Sequence, residues 1–158
     1  MTRTILALTF LFIFMVVGQA NDIAFVRTLF FQATKSKTQT EIMFNYLKKI
    51  KTNNNPVLKG YYGITHMLLA KHGLNLFARL NNFNKGKEIL EQAIAQDRSS
   101  VELRFLRLSV QLNVPSFLNY SSSIETDRKL ITEKFPYLND ADLKTKIKEF
   151  YISKKMSI

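Results

Sequence analysis

Apolar residues along this chain recur with a helical period. Over residues 22–33, Ile23, Val26, Leu29, Phe30 and Ala33 fall on one face. Over 39–51 the same holds for Ile42, Tyr46, Leu47 and Ile50, and over 140–152 for Leu143, Ile147, Phe150 and Tyr151. No run alternates apolar and polar residues at the period of two that a half-buried strand requires. Residues 100–113 carry Leu103, Phe105, Leu106, Leu108, Val110 and Leu112, which make a helix apolar almost all the way round and place it at the centre of the core.

The punctuation between these runs is also helical. Thr38 with Glu41, Ser99 with Glu102, and Ser122 with Glu125 have the spacing of capping boxes, in which the hydroxyl accepts from a first-turn N–H and the carboxylate reaches back. Asn55-Pro56 supplies a cap followed by proline at the first helical position. Lys71-His72-Gly73 reads as a helix end, with glycine free to turn left-handed, and Asn113-Val114-Pro115 closes another helix. Together these signals predict an all-α fold of six to seven short antiparallel helices, arranged as a helical-hairpin stack or an irregular bundle. The expected spans are 22–33, 39–51, 56–72, a short turn at 75–80 before 83–96, then 100–113, 123–135 and 140–152.

Two stretches resemble known groups. Phe83-Asn84-Lys85-Gly86-Lys87-Glu88-Ile89-Leu90-Glu91-Gln92-Ala93-Ile94, followed by Asp97-Arg98-Ser99-Ser100, resembles the second helix of a tetratricopeptide repeat and the turn after it. Small Gly86, large Leu90 and small Ala93 stand at the motif's spacing, while Arg98 stands where the motif has proline. The chain holds one such copy, and the resemblance implies stacked helical hairpins. Lys59-Gly60-Tyr61-Tyr62-Gly63, Phe83 to Lys87, Val101 to Arg107 and Asn113 to Leu118 look like small exported helical proteins of Bacteroidota. That likeness implies export and a helical domain and carries no catalytic residue over.

The first twenty residues stand apart from the helical pattern. Arg3 precedes an uncharged apolar run from Ile5 to Val17, and Gly18-Gln19-Ala20 places small residues where a signal peptidase reads. The run is shorter than the ~20 apolar residues that span a bilayer comfortably. Residues 1–20 are therefore expected to be a signal peptide and 21–158 a single helical domain beginning at Asn21, soluble and delivered to the periplasm or outside the cell. Cysteine is absent, which excludes thiol catalysis and cysteine metal sites. Removing the leader takes away only Arg3 among the charges, so 22 of the 23 basic residues remain against 12 acidic ones. That excess favours anionic partners, although scattered lysines also serve solubility alone.

Candidate chemistry is sparse. His66 and His72 lie six residues apart on one helix, about 240° around its axis, and cannot share a metal; no His-Glu-x-x-His pattern is present. Glu88 with Glu91 reads as a solvated face beside Lys85 and Lys87, and Asp140 with Asp142 suits a helix N-terminus. Gly60 and Gly63 suit close approach of a neighbouring helix, whereas Tyr61 and Tyr62 are candidates for stacking on a ligand ring. On the most apolar helix, Arg104, Arg107 and Gln111 form one polar stripe. Buried guanidiniums need partners, so the stripe either pairs with internal carboxylates or lines a groove that binds a carboxylate or phosphate.

No cofactor or metal is called for. The leading expectation is a non-enzymatic exported interaction or scaffold domain, with a protein or peptide partner or an anionic envelope component; export disfavours nucleic acid. The alternative is an envelope enzyme of unrecognised type acting on an anionic polymer or glycan. A cleft holding two facing carboxylates would favour the enzyme, and a basic aromatic groove would favour binding.

Overall fold

The computed structural model describes residues 23–50 and 52–158, so the expected leader at 1–20 and the mature start at Asn21 lie outside the described residues. The described residues form helices and no strand. They are α1 (23–33), α2 (Lys37–Lys49), α3 (Pro56–His72), α4 (Leu76–Gln96), α5 (Val101–Gln111), α6 (Ile124–Lys134) and α7 (Ala141–Ser153). Short 3₁₀ turns sit at Thr52–Asn54, Ser116–Leu118 and Phe135–Tyr137. No helix among the described residues is long and apolar enough to cross a membrane.

The Asn55-Pro56 start forms as read: the Asn55 side chain accepts from the N–H groups of Val57 and Leu58 at 2.9 and 3.2 Å. The three capping boxes do not form. Helix α2 begins at Lys37, before Thr38, and Glu41 lies 3.8 Å from Lys37 instead. Ser100 rather than Ser99 caps α5, accepting from the Leu103 N–H at 3.3 Å, while Ser99 bonds to Asp97. The cap position of α6 is Ser123, with no side-chain bond, and Glu125 pairs with Arg128. In each case another partner for the carboxylate, or a better-placed hydroxyl, wins over the local reciprocal bond.

Three further features differ from the sequence pattern. The turn at 75–80 and the helix at 83–96 are one continuous helix. Asn75 caps it, and no glycine or proline interrupts Leu80-Asn81-Asn82. The modest intrinsic cost of asparagine in a helix is offset by contact with α3, where Asn82 Oδ1 lies 3.4 Å from His66 Nδ1. Gly73 ends α3 with φ −70°, not left-handed. On α2 the inward row is Thr40, Met43 and Leu47, leaving Ile42 45% exposed. Thr40 tolerates burial because its hydroxyl donates to the carbonyls of Ala33 and Ser36 at 2.9 and 3.0 Å.

Helices α3 and α4 form an antiparallel hairpin. Ala70 meets Arg79, His66 meets Asn82, Gly63 meets Gly86, and Gly60 meets Leu90, so the partner rises in number as α3 falls. The helix backbones nearly touch midway. A methyl group added at Gly63 would stand 2.7 Å from the Gly86 carbonyl and 2.9 Å from the Leu90 nitrogen, and one added at Gly86 would collide with the Gly63 carbonyl. Glycine is needed there because nothing smaller exists, not for its backbone freedom.

Helix α5 organises the rest. Nine of its eleven residues are buried, and its rows serve different neighbours. Leu103 and Leu106 join the core built by α1 to α4. Val101, Phe105 and Leu108 join a second core with Ile131 and Phe135 of the α6 region and Leu143, Ile147 and Tyr151 of α7. Arg104, Arg107 and Gln111 occupy the remaining row.

Candidate functional site

The arginine row of α5 points at carboxylates inside the protein. Arg107 grips Asp127 of α6 through two parallel bonds, Nε to Oδ2 at 2.7 Å and Nη2 to Oδ1 at 2.8 Å, and donates from Nη1 to Glu91 of α4 at 2.6 Å. Asp127 is fully buried and also accepts from Arg104 at 3.2 Å; the rest of Arg104 caps the Arg98 carbonyl. Tyr120 completes the cluster by donating to Glu91 at 2.6 Å. Burial disfavours the charge on Arg107, yet the bonds and charges of Asp127 and Glu91 outweigh it and raise its pKa. Burial and the Glu91 bond push the Tyr120 hydroxyl up in turn. Two arginines and two carboxylates balance, and the cluster ties α4, α5 and α6 together. Glu91 is thus not part of a solvated face; only Glu88 is, bonded to Gln92. Gln111 is buried outside the cluster, its amide making no hydrogen bond among the described residues.

A second cluster was not foreseen. Arg27 of α1, 2% exposed, forms a fork with Glu102 of α5 at 2.9 and 3.0 Å. It also reaches Asp140, the cap residue of α7, at 3.0 Å and Asp142 in its first turn at 2.6 Å. Burial opposes its charge, but the Glu102, Asp142 and Asp140 bonds raise its pKa. Tyr61 is fully buried and donates to Glu102 at 2.7 Å, so its ring faces no ligand. Burial first, and the Glu102 charge second, push its pKa up. Asp140 both caps α7 through the Leu143 N–H and holds Arg27. A signal was present: Arg27 follows Ile23 by four residues and precedes Phe30 by three on an apolar face, and Asp127 precedes Ile131 by four. Charges at core spacing announce buried partners, but not which ones.

Tyr62 is half-buried and stacks on Phe44 at 5.9 Å, with His66 edge-on at 4.9 Å. Burial lowers the pKa of His66. Both aromatic candidates from the sequence are thus engaged within the protein. Among the described residues, no cluster of three His, Cys, Asp or Glu is placed to hold a metal ion.

The open feature is a groove of about 720 Å³ where the two cores diverge, beside the C-terminal half of α5. That volume lies within the ~300–1,000 Å³ of small-molecule sites. Phe30, Phe31, Phe83, Phe105, Phe117 and Phe150 line it. Its charged lining residues are Lys71, Arg79 and Lys154, and no carboxylate or histidine is among the described residues of its wall. Phe117 is 72% exposed and Leu76 62% exposed at its mouth, and neighbouring Phe77 is 83% exposed. The chain matches no protein-family model, no curated protein and no solved structure.

Lys71 donates to the Thr34 carbonyl at 3.1 Å, Arg79 to the Ala70 carbonyl at 3.1 Å, and Lys154 to the Asn113 side chain at 2.6 Å. None of the three has a carboxylate within ion-pair distance among the described residues. Among the described residues the buried arginines are neutralised internally, whereas the cations at the groove have no acidic partner. What this surface offers chemically is apolar burial beside uncompensated positive charge.

Proposed function

We propose that this chain is an exported, non-enzymatic binding domain whose ligand site is the groove between the two cores. The observation that carries the reading is the groove's composition: six phenylalanines and three cations, with no acid or histidine among the described residues lining it. Such a wall buries apolar surface and attracts negative charge; it presents no carboxylate pair for proton transfer. The helical hairpin of α3 and α4 supplies one side of the groove, and α5 with the end of α7 supplies the other. A concavity already formed by packed helices limits the ordering cost of binding.

Displacement of a fluorescent apolar probe from residues 21–158 tests this reading. One saturable site is expected, closed by Val110→Trp, which fills the groove from its α5 wall. Probe binding that Val110→Trp leaves unchanged, in a protein that still unfolds cooperatively, refutes the groove as the site. Export is tested separately: expression of the full chain should yield a protein whose sequence begins at Asn21.

A further inference from the structure

We infer that the occupant of the groove is a single-chain amphipathic anion, a long-chain carboxylate or its equivalent, with its head group held by Lys71 and Arg79; this rests on the groove being the binding site. Charge placement is the argument. Lys71 and Arg79 are anchored at one end of the groove, on the carbonyls of Thr34 and Ala70, residues that themselves line it. The Arg79 bond uses Nε, leaving both terminal nitrogens of the guanidinium without a partner among the described residues. A carboxylate matches that free fork in two parallel bonds. Away from this end, Ile64, Phe83 and Phe105 are each at most 4% exposed and form an apolar floor. Lys154, the third cation of the lining, is held by the Asn113 side chain at 2.6 Å, and the pairing of the Lys71–Arg79 end with an apolar trough selects an acyl chain with a charged head over a neutral hydrocarbon or a polar anion.

An anionic membrane surface is the competing occupant, since Leu74 and Phe77 stand fully and 83% exposed near the mouth. A membrane docks best on a protruding apolar face, whereas the uncompensated charge here borders a concavity. The structure therefore favours a monomeric amphiphile entering the protein over the protein lying on a bilayer.

Calorimetric titration of residues 21–158 with octanoate, decanoate and dodecanoate, each below its micelle concentration, tests the inference. A 1:1 site is expected, with affinity rising about four-fold per added methylene while the chain still finds groove to bury it. Decanol should bind at least about ten-fold more weakly than decanoate, given the worth of a charge-assisted hydrogen bond, and decyltrimethylammonium should not bind. Lys71→Gln/Arg79→Gln should erase the preference for decanoate over decanol while decanol still binds; both positions are exposed, and the variant should fold.

Equal binding of decanol and decanoate would overturn the anion assignment while leaving the groove reading intact. If no amphiphile and no apolar probe binds, the groove reading falls with it. Sedimentation with vesicles of phosphatidylcholine and phosphatidylglycerol, without binding of monomeric decanoate, would overturn the inference in favour of membrane docking.

Discussion

Replacing Arg107 with methionine removes the guanidinium that joins α4, α5 and α6 and keeps most of its buried bulk. Asp127, fully buried, would lose its two shortest bonds, at 2.7 and 2.8 Å, and Glu91 its bond at 2.6 Å. Breaking a buried pair from one side typically costs ~3–5 kcal/mol, because the remaining charge is stranded away from water. The lower end applies here: Asp127 retains Arg104 at 3.2 Å, and Glu91 retains Tyr120 with 38% of its side chain exposed. A loss of about 3 kcal/mol, at a urea slope of roughly 2 kcal/mol per molar, lowers the unfolding midpoint by about 1.5 M with the slope unchanged. Circular dichroism in a urea titration reads it directly. The double variant Arg107→Met/Asp127→Leu should lose less than the two single variants summed, by about 1 kcal/mol or more, since neither charge is then left without its main partner. A midpoint for Arg107→Met within about 0.3 M of the parent would refute the reasoning. It would mean that Asp127 finds water or another donor, and that the arginine row is free for a ligand after all.

The glycine contact between α3 and α4 predicts that Gly63→Ala destabilises by about 1–3 kcal/mol, because the added methyl meets helix backbone at 2.7 and 2.9 Å. Gly73→Ala, where the nearest atom is Cγ of the Arg79 side chain at 2.8 Å and no backbone lies within 3.5 Å, should cost less than Gly63→Ala; equal losses in thermal melts would contradict this. Phe105→Ala should cost ~3–5 kcal/mol, since Phe105 is 1% exposed and edge-on to Phe150 at 5.4 Å; a loss under about 1 kcal/mol in urea would show a site that readily collapses.

Stability should fall with acid in two steps. Burial, then the charge of Lys85, lowers the His66 pKa, so its contribution is complete above the unfolded value of about 6.5 and is lost as pH falls through the lowered folded value. Burial opposes ionisation of Asp140, but the Leu143 N–H and Arg27 outweigh it, so its contribution is complete above about 3.9 and is lost below its own lowered value. Melting temperatures from pH 8 to 3 should show both declines, and His66→Phe should abolish the first; the same loss between pH 7 and 5 in that variant would assign it elsewhere.

The sequence by itself determined that the chain is helical and which faces turn inward on α1 and α7. Apolar spacing reports this directly, because a 3.6-residue repeat has one way to hide a stripe. It also determined the cap at Asn55, where asparagine and proline act within a single turn. It predicted that Arg104 and Arg107 need partners, since the surrounding leucines leave the α5 row no route to water. Tertiary structure alone decided who those partners are. Asp127 is twenty residues from Arg107, and Glu102 is seventy-five from Arg27; no local rule connects them, and Glu102 carried a misleading capping signature. Packing likewise overrode local preference along α4, where contact with α3 carries the helix through two asparagines, and on α2, where the start at Lys37 turns Met43 rather than Ile42 inward. The groove was the least legible feature. Its lining comes from α1, α3, α4, α5, the Ser116–Leu118 turn and α7, and a concavity shared by so many elements exists only once they have packed against one another.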